Sequence, residues 1–422
     1  MNETSPVVPS QLTGVLLSHA HLDHCGKIPY LIAKGFQGPI HATAATCDLS
    51  EVMLADSAHI QEEDARYWNA KRARSQEDMI QPLYTIKDAE LADGHFIPCV
   101  YNHPVPFAEG ATVTFLEAGH ILGAACLLVE IKRSNPVRLL FTGDLGRFNM
   151  PILRDPAHPL PKVDYLITES TYANRHHEDV ASMDQKLIDI INQTRARSGK
   201  VIIPAFSLGR TQHLTYCLSR AMAEGRLEKL PIFVDSPLSS RVTDIFREHP
   251  ECYDKKARNF WLEKGGIFGR KLITYITDVE DSKALHERPG PFVLISASGM
   301  CEAGRILHHL KNNVEDERNT IIVVGYMAQN TLGRRIVERQ ETLKILGRDY
   351  RLKASVEILN GFSSHSDADD FVRLLGPIAP TLKGAFVVHG EDEQTSAMKT
   401  LLGTAGCPRV HAPVPGDRFE LA

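Results

Sequence analysis

The 422-residue sequence has no pair of cysteines at the C-x-x-C spacing. Its eight cysteines are scattered along the chain, which predicts neither a zinc knuckle nor a disulfide framework and fits a reducing cytoplasm. No apolar run approaches the roughly 18 residues that a membrane helix needs. The opening MNETSPVVPS also lacks the basic start and apolar stretch of a signal peptide. We therefore expect a cytoplasmic protein that does not contact membranes.

Neither sign of charge dominates, because 47 Lys and Arg residues stand against 52 Asp and Glu residues. The resulting net charge of −5 argues against a uniformly basic nucleic-acid coat, although local basic patches stay open. A G-x-x-x-x-G-K-[ST] loop is also missing, so nucleotide hydrolysis is not indicated. What is present, 43% apolar and 23% charged residues, is typical of a globular protein, and the length predicts two or three domains.

Several apolar segments end in polar clusters, which is the pattern of strands that deliver polar side chains to one edge of a sheet. These segments are residues 15–21, 113–120, 138–144, 163–170, 355–365 and 384–390. Between the first four of these segments and the last two, residues 175–350 alternate strand-like and helix-like stretches, which predicts a parallel α/β sheet. We expect this block to be an inserted domain, with residues 1–174 and 351–422 forming the two parts of the first domain.

The segment His19-Ala20-His21-Leu22-Asp23-His24 directly follows the first of these predicted strands. If the strand end stays extended, His19 and His21 project to the same side of the chain, and Asp23 and His24 can face a second ion nearby. Any one such residue is more often a cap or a hydrogen-bond partner, but four within six positions favour a metal site.

Three further ligand candidates follow other predicted strands, namely His120, Asp144 and His389. With the first segment they supply five imidazoles and two carboxylates, enough for two ions if Asp144 bridges them and a water or hydroxide completes the shells. An imidazole-rich set favours zinc over magnesium. Two divalent ions and two aspartates leave a charge of about +2, which should attract an anion such as a phosphodiester.

These residues resemble the metallo-β-lactamase superfamily, and specifically its β-CASP branch of nucleic-acid-processing hydrolases, which includes RNase J and the cleavage and polyadenylation endonuclease. The first segment matches the HxHxDH motif, and His120 and Asp144 match the downstream histidine and the bridging aspartate. Glu169 in TESTY, His365 in FSSHSD and His389 in VVHGE match motifs of the branch itself. The resemblance covers nearly the whole chain.

The resemblance implies an α/β protein, an αββα metallo-β-lactamase sandwich with an inserted parallel α/β β-CASP domain. It further implies two zinc ions. One would be held by His19, His21, His120 and Asp144, and the other by Asp23, His24, Asp144 and His389. The catalytic residues would be Asp23, Glu169 and His365, with His365 paired to Glu169 near the leaving group.

Family members usually begin with a pair of strands and an LLDCG-like segment whose aspartate buttresses the metal-binding histidines. Here His19 follows only eighteen residues. We expect either a start codon placed too far downstream or a natural shortening, and in both cases weaker support for the ligands.

Loops in the predicted insertion carry the candidate RNA-phosphate contacts. The segments PAFSLGRTQ, SASGM and GYMAQNTLGRR each follow a predicted strand and precede a predicted helix, where backbone N–H groups suit phosphates. The candidate residues are Ser207, Arg210, Ser296, Ser298 and Arg334. Ordinary turn chemistry also explains glycine and serine at such positions.

Two stretches of the sequence are rich in charged residues. Residues 332–353 contain seven Lys or Arg against three acids, which predicts either one wall of an RNA groove or a solvated helix face. Residues 56–81 are charged and free of proline, and they predict one or two surface helices.

The leading interpretation is a two-zinc ribonuclease in which an activated hydroxide attacks phosphorus in line and leaves a 5′-phosphate product. A DNA nuclease of the same branch is less favoured, because DNA-specific relatives tend to have an apolar residue where His389 stands. A non-catalytic scaffold subunit of an RNA-processing complex would have lost ligands, and a small-ester hydrolase does not explain the insertion. The sequence does not distinguish endonucleolytic from 5′ exonucleolytic cutting. RNA is the expected partner. Whether the chain forms a homodimer is left open.

Overall fold

A computed structural model describes residues 5–72, 79–268, 272–325 and 327–421. The chain divides into two compact units. The first unit comprises Met1–Phe148, Arg154–His176 and His365–Ala422, and the second comprises Asn149–Leu153 and His177–Ser364.

The strands are β1 (Val15–Leu16), β2 (Ile40–Thr43), β3 (Phe96–Cys99), β4 (Pro104–Ala108), β5 (Ala111–Glu117), β6 (Ala125–Ile131), β7 (Val137–Phe141), β8 (Tyr165–Thr168), β9 (Val201–Pro204), β10 (Ile232–Asp235), β11 (Ile273–Ile276), β12 (Val293–Ser296), β13 (Thr320–Val323), β14 (Thr342–Ile345), β15 (Arg348–Arg351), β16 (Ser355–Ile358), β17 (Gly384–Val387) and β18 (Val410–His411). The helices are α1 (Leu22–Cys25), α2 (Ile28–Ala33), α3 (Ala44–Arg72), α4 (Ile86–Asp93), α5 (Val180–Ala196), α6 (Arg210–Ala223), α7 (Pro237–Glu248), α8 (Lys255–Lys264), α9 (Val279–Glu287), α10 (Arg305–Asn313), α11 (Leu332–Val337), α12 (Ala368–Leu375) and α13 (Asp392–Thr404).

The first unit contains two sheets that face each other. One is the parallel sheet β1-β2-β3, and the other is a seven-stranded sheet in the order β18-β17-β8-β7-β6-β5-β4. Leu16 and Cys99 from the small sheet pack with Phe115 and Leu127 from the large one in a single apolar cluster. Helices α1 to α4 cover the outer face of the small sheet, and α13 packs on β17 and β18. The expected αββα layering is therefore confirmed.

The second unit contains a six-stranded sheet in the order β11-β10-β12-β9-β13-β16, in which every neighbouring pair is parallel. All residues of β9, β10, β12 and β13 are buried, as expected of parallel strands covered by helices on both faces. The predicted parallel α/β insertion is confirmed. The sequence patterns did not predict β11 or the antiparallel hairpin of β14 and β15, which carries part of the basic stretch.

The end of the insertion differs from the expected boundary at residue 350. Strand β16 pairs in parallel with β13, so residues 351–364 belong to the second unit. The pairing is favourable because Val356 joins the apolar cluster that contains Ile321 and Val323. Residues 355–358 therefore form a strand, as the pattern predicted, but this strand belongs to the sheet of the second unit and not to the first domain.

Helix α3 begins twelve residues before the predicted surface segment at residue 56. The part of α3 before residue 56 packs inward, because Leu49 and Leu54 are almost completely buried. The part from residue 56 onward is helical and mostly exposed, as the sequence predicted. Residues 73–78 of the predicted segment lie outside the described residues. Although α3 is long, neither it nor any other helix in the described ranges combines the length and apolar character that a membrane crossing requires.

Candidate metal centre

Four candidate site residues follow strands of the large sheet that run in the same direction. His120 follows β5, Asp144 follows β7, Glu169 follows β8 and His389 follows β17. The segment after β1 brings His19 to the same place, 3.4 Å from Asp144 (Nε2 to Oδ2). The histidines and carboxylates that the sequence singled out therefore lie close together within the first unit.

Close packing against neighbouring backbone fixes the position of the loop that carries His120. The hydroxyls of Thr43 and Thr46 both donate to the carbonyl oxygen of Gly123, at 2.6 and 2.9 Å. On the other side, the N–H of Gly146 donates to the carbonyl of Ala118 at 2.8 Å. A Cβ at position 146 would lie 1.9 Å from the carbonyl oxygen of Gly119, so only glycine permits this approach.

The first ligand group consists of His19, His21, His120 and Asp144. Ligands held about 2.0–2.1 Å from a tetrahedral zinc ion lie roughly 3.3 Å from one another. Here Nε2 of His120 lies 3.2 Å from Nδ1 of His21 and 3.5 Å from Oδ2 of Asp144. These separations have the size that one shared zinc ion requires.

The second ligand group consists of Asp23, His24 and His389, beside the other oxygen of Asp144. Nε2 of His24 lies 3.3 Å from Oδ1 of Asp144, and Nε2 of His389 lies 3.1 Å from Oδ2 of Asp23. Because Oδ2 of Asp144 faces the first group and Oδ1 faces the second, one carboxylate can bridge two ions.

Unsatisfied polar atoms support a cation at this centre. Nε2 of His19, Nε2 of His24 and Oδ1 of Asp144 are buried, and none has a hydrogen-bond partner within the described part of the chain. Buried polar atoms are normally satisfied, so three such atoms pointing into one site call for a positively charged ligand. A set of imidazoles and carboxylates fits zinc.

The protonation states also suit metal binding. Burial lowers the pKa of His19 and His120 and lowers that of His21 to about 3, so these imidazoles are neutral at neutral pH. Burial alone would raise the pKa of Asp144, but the imidazoles of His19 and His24, at 3.4 and 3.3 Å from its two oxygens, hold it well below its usual range. Asp23 hydrogen-bonds to His389 and raises the pKa of that imidazole to about 9, so a cation binding there must displace a proton.

Glu169 and His365 form a pair beside the ligands. Nδ1 of His365 lies 3.2 and 3.1 Å from the two carboxylate oxygens of Glu169 and 4.0 Å from Oδ2 of Asp144. The Glu169 carboxylate is fixed, because it accepts hydrogen bonds from the N–H groups of Leu145 and Thr171. Burial would lower the pKa of His365, but the negative charge of Glu169 raises it above its usual value.

Comparisons with known proteins identify the chain. Three protein-family models match it. They are described as Metallo-beta-lactamase superfamily, over residues 7–196, Beta-Casp domain, over 211–336, and Zn-dependent metallo-hydrolase RNA specificity domain, over 349–413. It is 33% identical over 399 residues to Ribonuclease TTHA0252 of Thermus thermophilus, across 94% of this chain and 86% of that protein. The chain belongs to the β-CASP family. The resemblance inferred from the motifs is confirmed.

Archaeal β-CASP proteins named Transcription termination factor FttA are also similar. The chain is 31% identical over 392 residues to the FttA of Methanococcus maripaludis, across 90% of this chain and 59% of that protein. It is 29% identical over 398 residues to the FttA of a Lokiarchaeum species, across 93% of this chain and 60% of that protein. The chain thus spans about three fifths of the length of these archaeal relatives.

Ser18 is a positioning residue of this β-CASP chain that the sequence patterns did not single out. Its Oγ lies 3.1 Å from Nδ1 of His19 and is buried. With the proton on Nδ1, the ring donates to Ser18, and its Nε2 lone pair faces Asp144. A serine directly before the motif was the available signal, but serine is common after strands.

We expect Ser18→Ala to weaken zinc binding roughly 10-fold to 100-fold, because the imidazole of His19 loses the contact that fixes its orientation. Competition with a zinc-chelating dye measures the affinity. Ser50→Ala is the matched control, since Ser50 is equally buried and its hydroxyl donates to the carbonyl of Thr46 instead. Equal affinities of the two variants would show that Ser18 has no positioning role.

The candidate phosphate contacts all lie in the second unit. Ser296 differs from the expectation, because it is buried and its hydroxyl donates to the carbonyl of Asp235 at 2.8 Å. Arg210 donates to the carbonyl of Val324 at 2.7 Å. Arg334 pairs with Glu338 at 2.7 Å, Ser298 accepts a hydrogen bond from the N–H of Glu302, and Ser207 lies beside Ser236. Tyr326, in the third of these loops, lies outside the described residues.

Proposed function

We propose that this chain is a zinc-dependent ribonuclease that hydrolyses RNA phosphodiester bonds with two metal ions. The observation that carries the proposal is the pair of ligand groups that share Asp144, one on each of its oxygens. The match to an RNA specificity domain and the similarity to a protein named as a ribonuclease support RNA as the substrate.

In this proposal, His19, His21, His120 and Asp144 hold one ion, and Asp23, His24, Asp144 and His389 hold the other. When bound, the ions would supply Lewis acidity, which lowers the pKa of a water molecule and stabilises charge that develops on the phosphate. Asp23 is the most exposed of the ligands, with 61% of its side chain accessible, so an attacking water molecule can reach its carboxylate and be oriented by it. Asp144 keeps its charge and fixes the distance between the two groups.

Proton delivery to the departing 3′ oxygen is the proposed role of His365. An alkoxide leaves a phosphodiester poorly unless a proton is supplied. The charge of Glu169 favours the protonated form of His365, and the hydrogen bond fixes the orientation of the ring. His365 is 21% exposed on its side chain, so a substrate can reach it.

The alternatives explain less of the site. A scaffold subunit has no need for a ligand set as complete as this one, in which seven residues converge in two groups. A DNA nuclease is disfavoured by His389, whose imidazole joins the second group. A small-ester hydrolase has no use for the inserted parallel sheet, which is matched to the Beta-Casp domain.

The experiment that tests the proposal compares RNAs with different 5′ ends, DNA of the same sequence, and a β-lactam and a thioester substrate. We expect RNA to be cleaved fastest, cleavage to stop with a chelator, and zinc to restore it, because the ligand groups act through the ions. Chelator-resistant cleavage, or faster turnover of DNA or of the small substrates, would contradict the proposal.

Sizing the RNA products distinguishes the two modes of cutting. A ladder from one end indicates an exonuclease, whereas internal fragments indicate an endonuclease. Contacts of Ser207, Arg210, Ser298 and Arg334 with RNA, a cytoplasmic location and a homodimer also stay predictions.

A further inference from the structure

A separate group of ligand-type side chains lies within the second unit. Asp184, His213 and Cys217 are each buried, with 4%, 6% and 3% of their surface accessible. Their ligand atoms lie within 4.8 Å of one another. None of them belongs to the candidate metal centre or is used by the proposed nuclease mechanism.

Two packed helices bring the three side chains together. His213 and Cys217 are four residues apart on α6, so they lie on the same face of that helix. Asp184 lies on α5, which packs against α6. The ring of His213 also packs edge-on against Phe362, with 5.0 Å between ring centroids, which restricts its orientation.

Only one of the two carboxylate oxygens of Asp184 is paired. Arg220 forms an ion pair with Oδ2 of Asp184. Oδ1 of the same carboxylate is buried and has no hydrogen-bond partner in the described ranges. A buried carboxylate oxygen without a partner is costly, and this one lies within reach of an imidazole and a thiol.

We propose that Oδ1 of Asp184, the imidazole of His213 and Sγ of Cys217 bind a structural zinc ion that links α5 to α6. Sulfur, nitrogen and oxygen ligands in one tetrahedral set suit zinc, and a water molecule can take the fourth position. Binding forms a zinc–sulfur bond and releases the thiol proton to solvent. The thiolate and the carboxylate then supply two negative charges, and with Arg220 counted the site keeps a net charge of +1. The ion would stabilise the inserted unit, and its presence does not depend on the nuclease function.

Cobalt substitution tests this site selectively. The 422-residue chain is produced in zinc-depleted medium supplemented with cobalt, so that the buried site is filled as the protein folds. The candidate metal centre contains only histidine and aspartate ligands, so a thiolate-to-cobalt charge-transfer band in the near ultraviolet can arise only where cysteine binds the ion. We expect this band, and about three cobalt ions per chain when those of the candidate metal centre are included.

Cys217→Ser should abolish the band and remove about one cobalt ion per chain, and Asp184→Asn should weaken it. The matched control is Cys252→Ser, because Cys252 lies in the same unit, is 4% exposed and belongs to none of the ligand groups found in the described residues. Circular dichroism establishes that each variant is folded. A wild-type chain without the band, a band that survives in folded Cys217→Ser, or a band lost in folded Cys252→Ser would overturn the proposal. If Asp184, His213 and Cys217 only hydrogen-bond to one another and bind no ion, the wild-type chain shows no such band.

Discussion

Replacing Asp144 with alanine is expected to remove both ions from the candidate metal centre and to lower RNA hydrolysis at least about 1,000-fold, which corresponds to about 4 kcal/mol of transition-state stabilisation. The reason is geometric, because each ligand group uses a different oxygen of this one carboxylate. Without it, the imidazoles of both groups lose the negative charge that compensates a bound cation. Zinc content by elemental analysis and turnover of a labelled RNA are the two measurements.

His389→Ala provides the contrast within the centre. His389 belongs to the second group, so its loss should chiefly weaken the second ion and leave the first in place. Asp93→Ala, at the exposed end of α4, serves as a control aspartate that touches neither group. If Asp144→Ala and His389→Ala lose equal amounts of zinc, Asp144 does not bridge the two ions.

Replacing His365 with alanine is expected to lower turnover roughly 100-fold to 10,000-fold while zinc content and RNA affinity stay nearly unchanged. The magnitude is that of general acid catalysis, since the ring is held by Glu169 and is not a member of either ligand group. A group that must be protonated makes turnover fall as pH rises through its pKa. This fall should be present in the wild type and should disappear in the variant, because the imidazole that titrates is then gone.

The alternative role for this pair is to fix two loops. Gly146 and His365 form a β-bridge, and the N–H of Ser366 donates to the carbonyl of Leu145 at 2.7 Å, so the backbone already joins these loops. His176→Ala is the control, since that histidine is exposed and contacts Asp369 instead of Glu169. If His365→Ala loses metal, melts at a much lower temperature than His176→Ala, or keeps wild-type turnover, the loop-fixing role should replace proton delivery.

The sequence predicted the parts of the molecule that depend on local pattern. Strands that end in polar residues, such as β5 before His120 and β7 before Asp144, were visible because apolar runs and polar ends are local features. The clustering of the ligands also followed, since strands that run in the same direction deliver their carboxyl ends to one edge of a sheet. The pairing partner of a strand is not local, and β16 was accordingly assigned to the wrong sheet.

Contacts between distant residues set the limit of what could be predicted. Ser18 was not identified, because its role depends on the orientation of the neighbouring ring, which the sequence does not specify. Ser296 was expected to face a phosphate, but its hydroxyl satisfies a backbone carbonyl on the adjacent strand β10. The pairing of Asp184 with Cys217 was equally invisible, because these residues approach only when α5 packs on α6.

The most direct measurement of the central claim is an anomalous difference map, at the zinc absorption edge, from crystals of the 422-residue chain. The account predicts two peaks at this centre, about 3.5–4 Å apart, with Asp144 between them. One peak should contact His19, His21 and His120, and the other should contact Asp23, His24 and His389. A single peak among these residues, or none in protein that still hydrolyses RNA, would contradict the account.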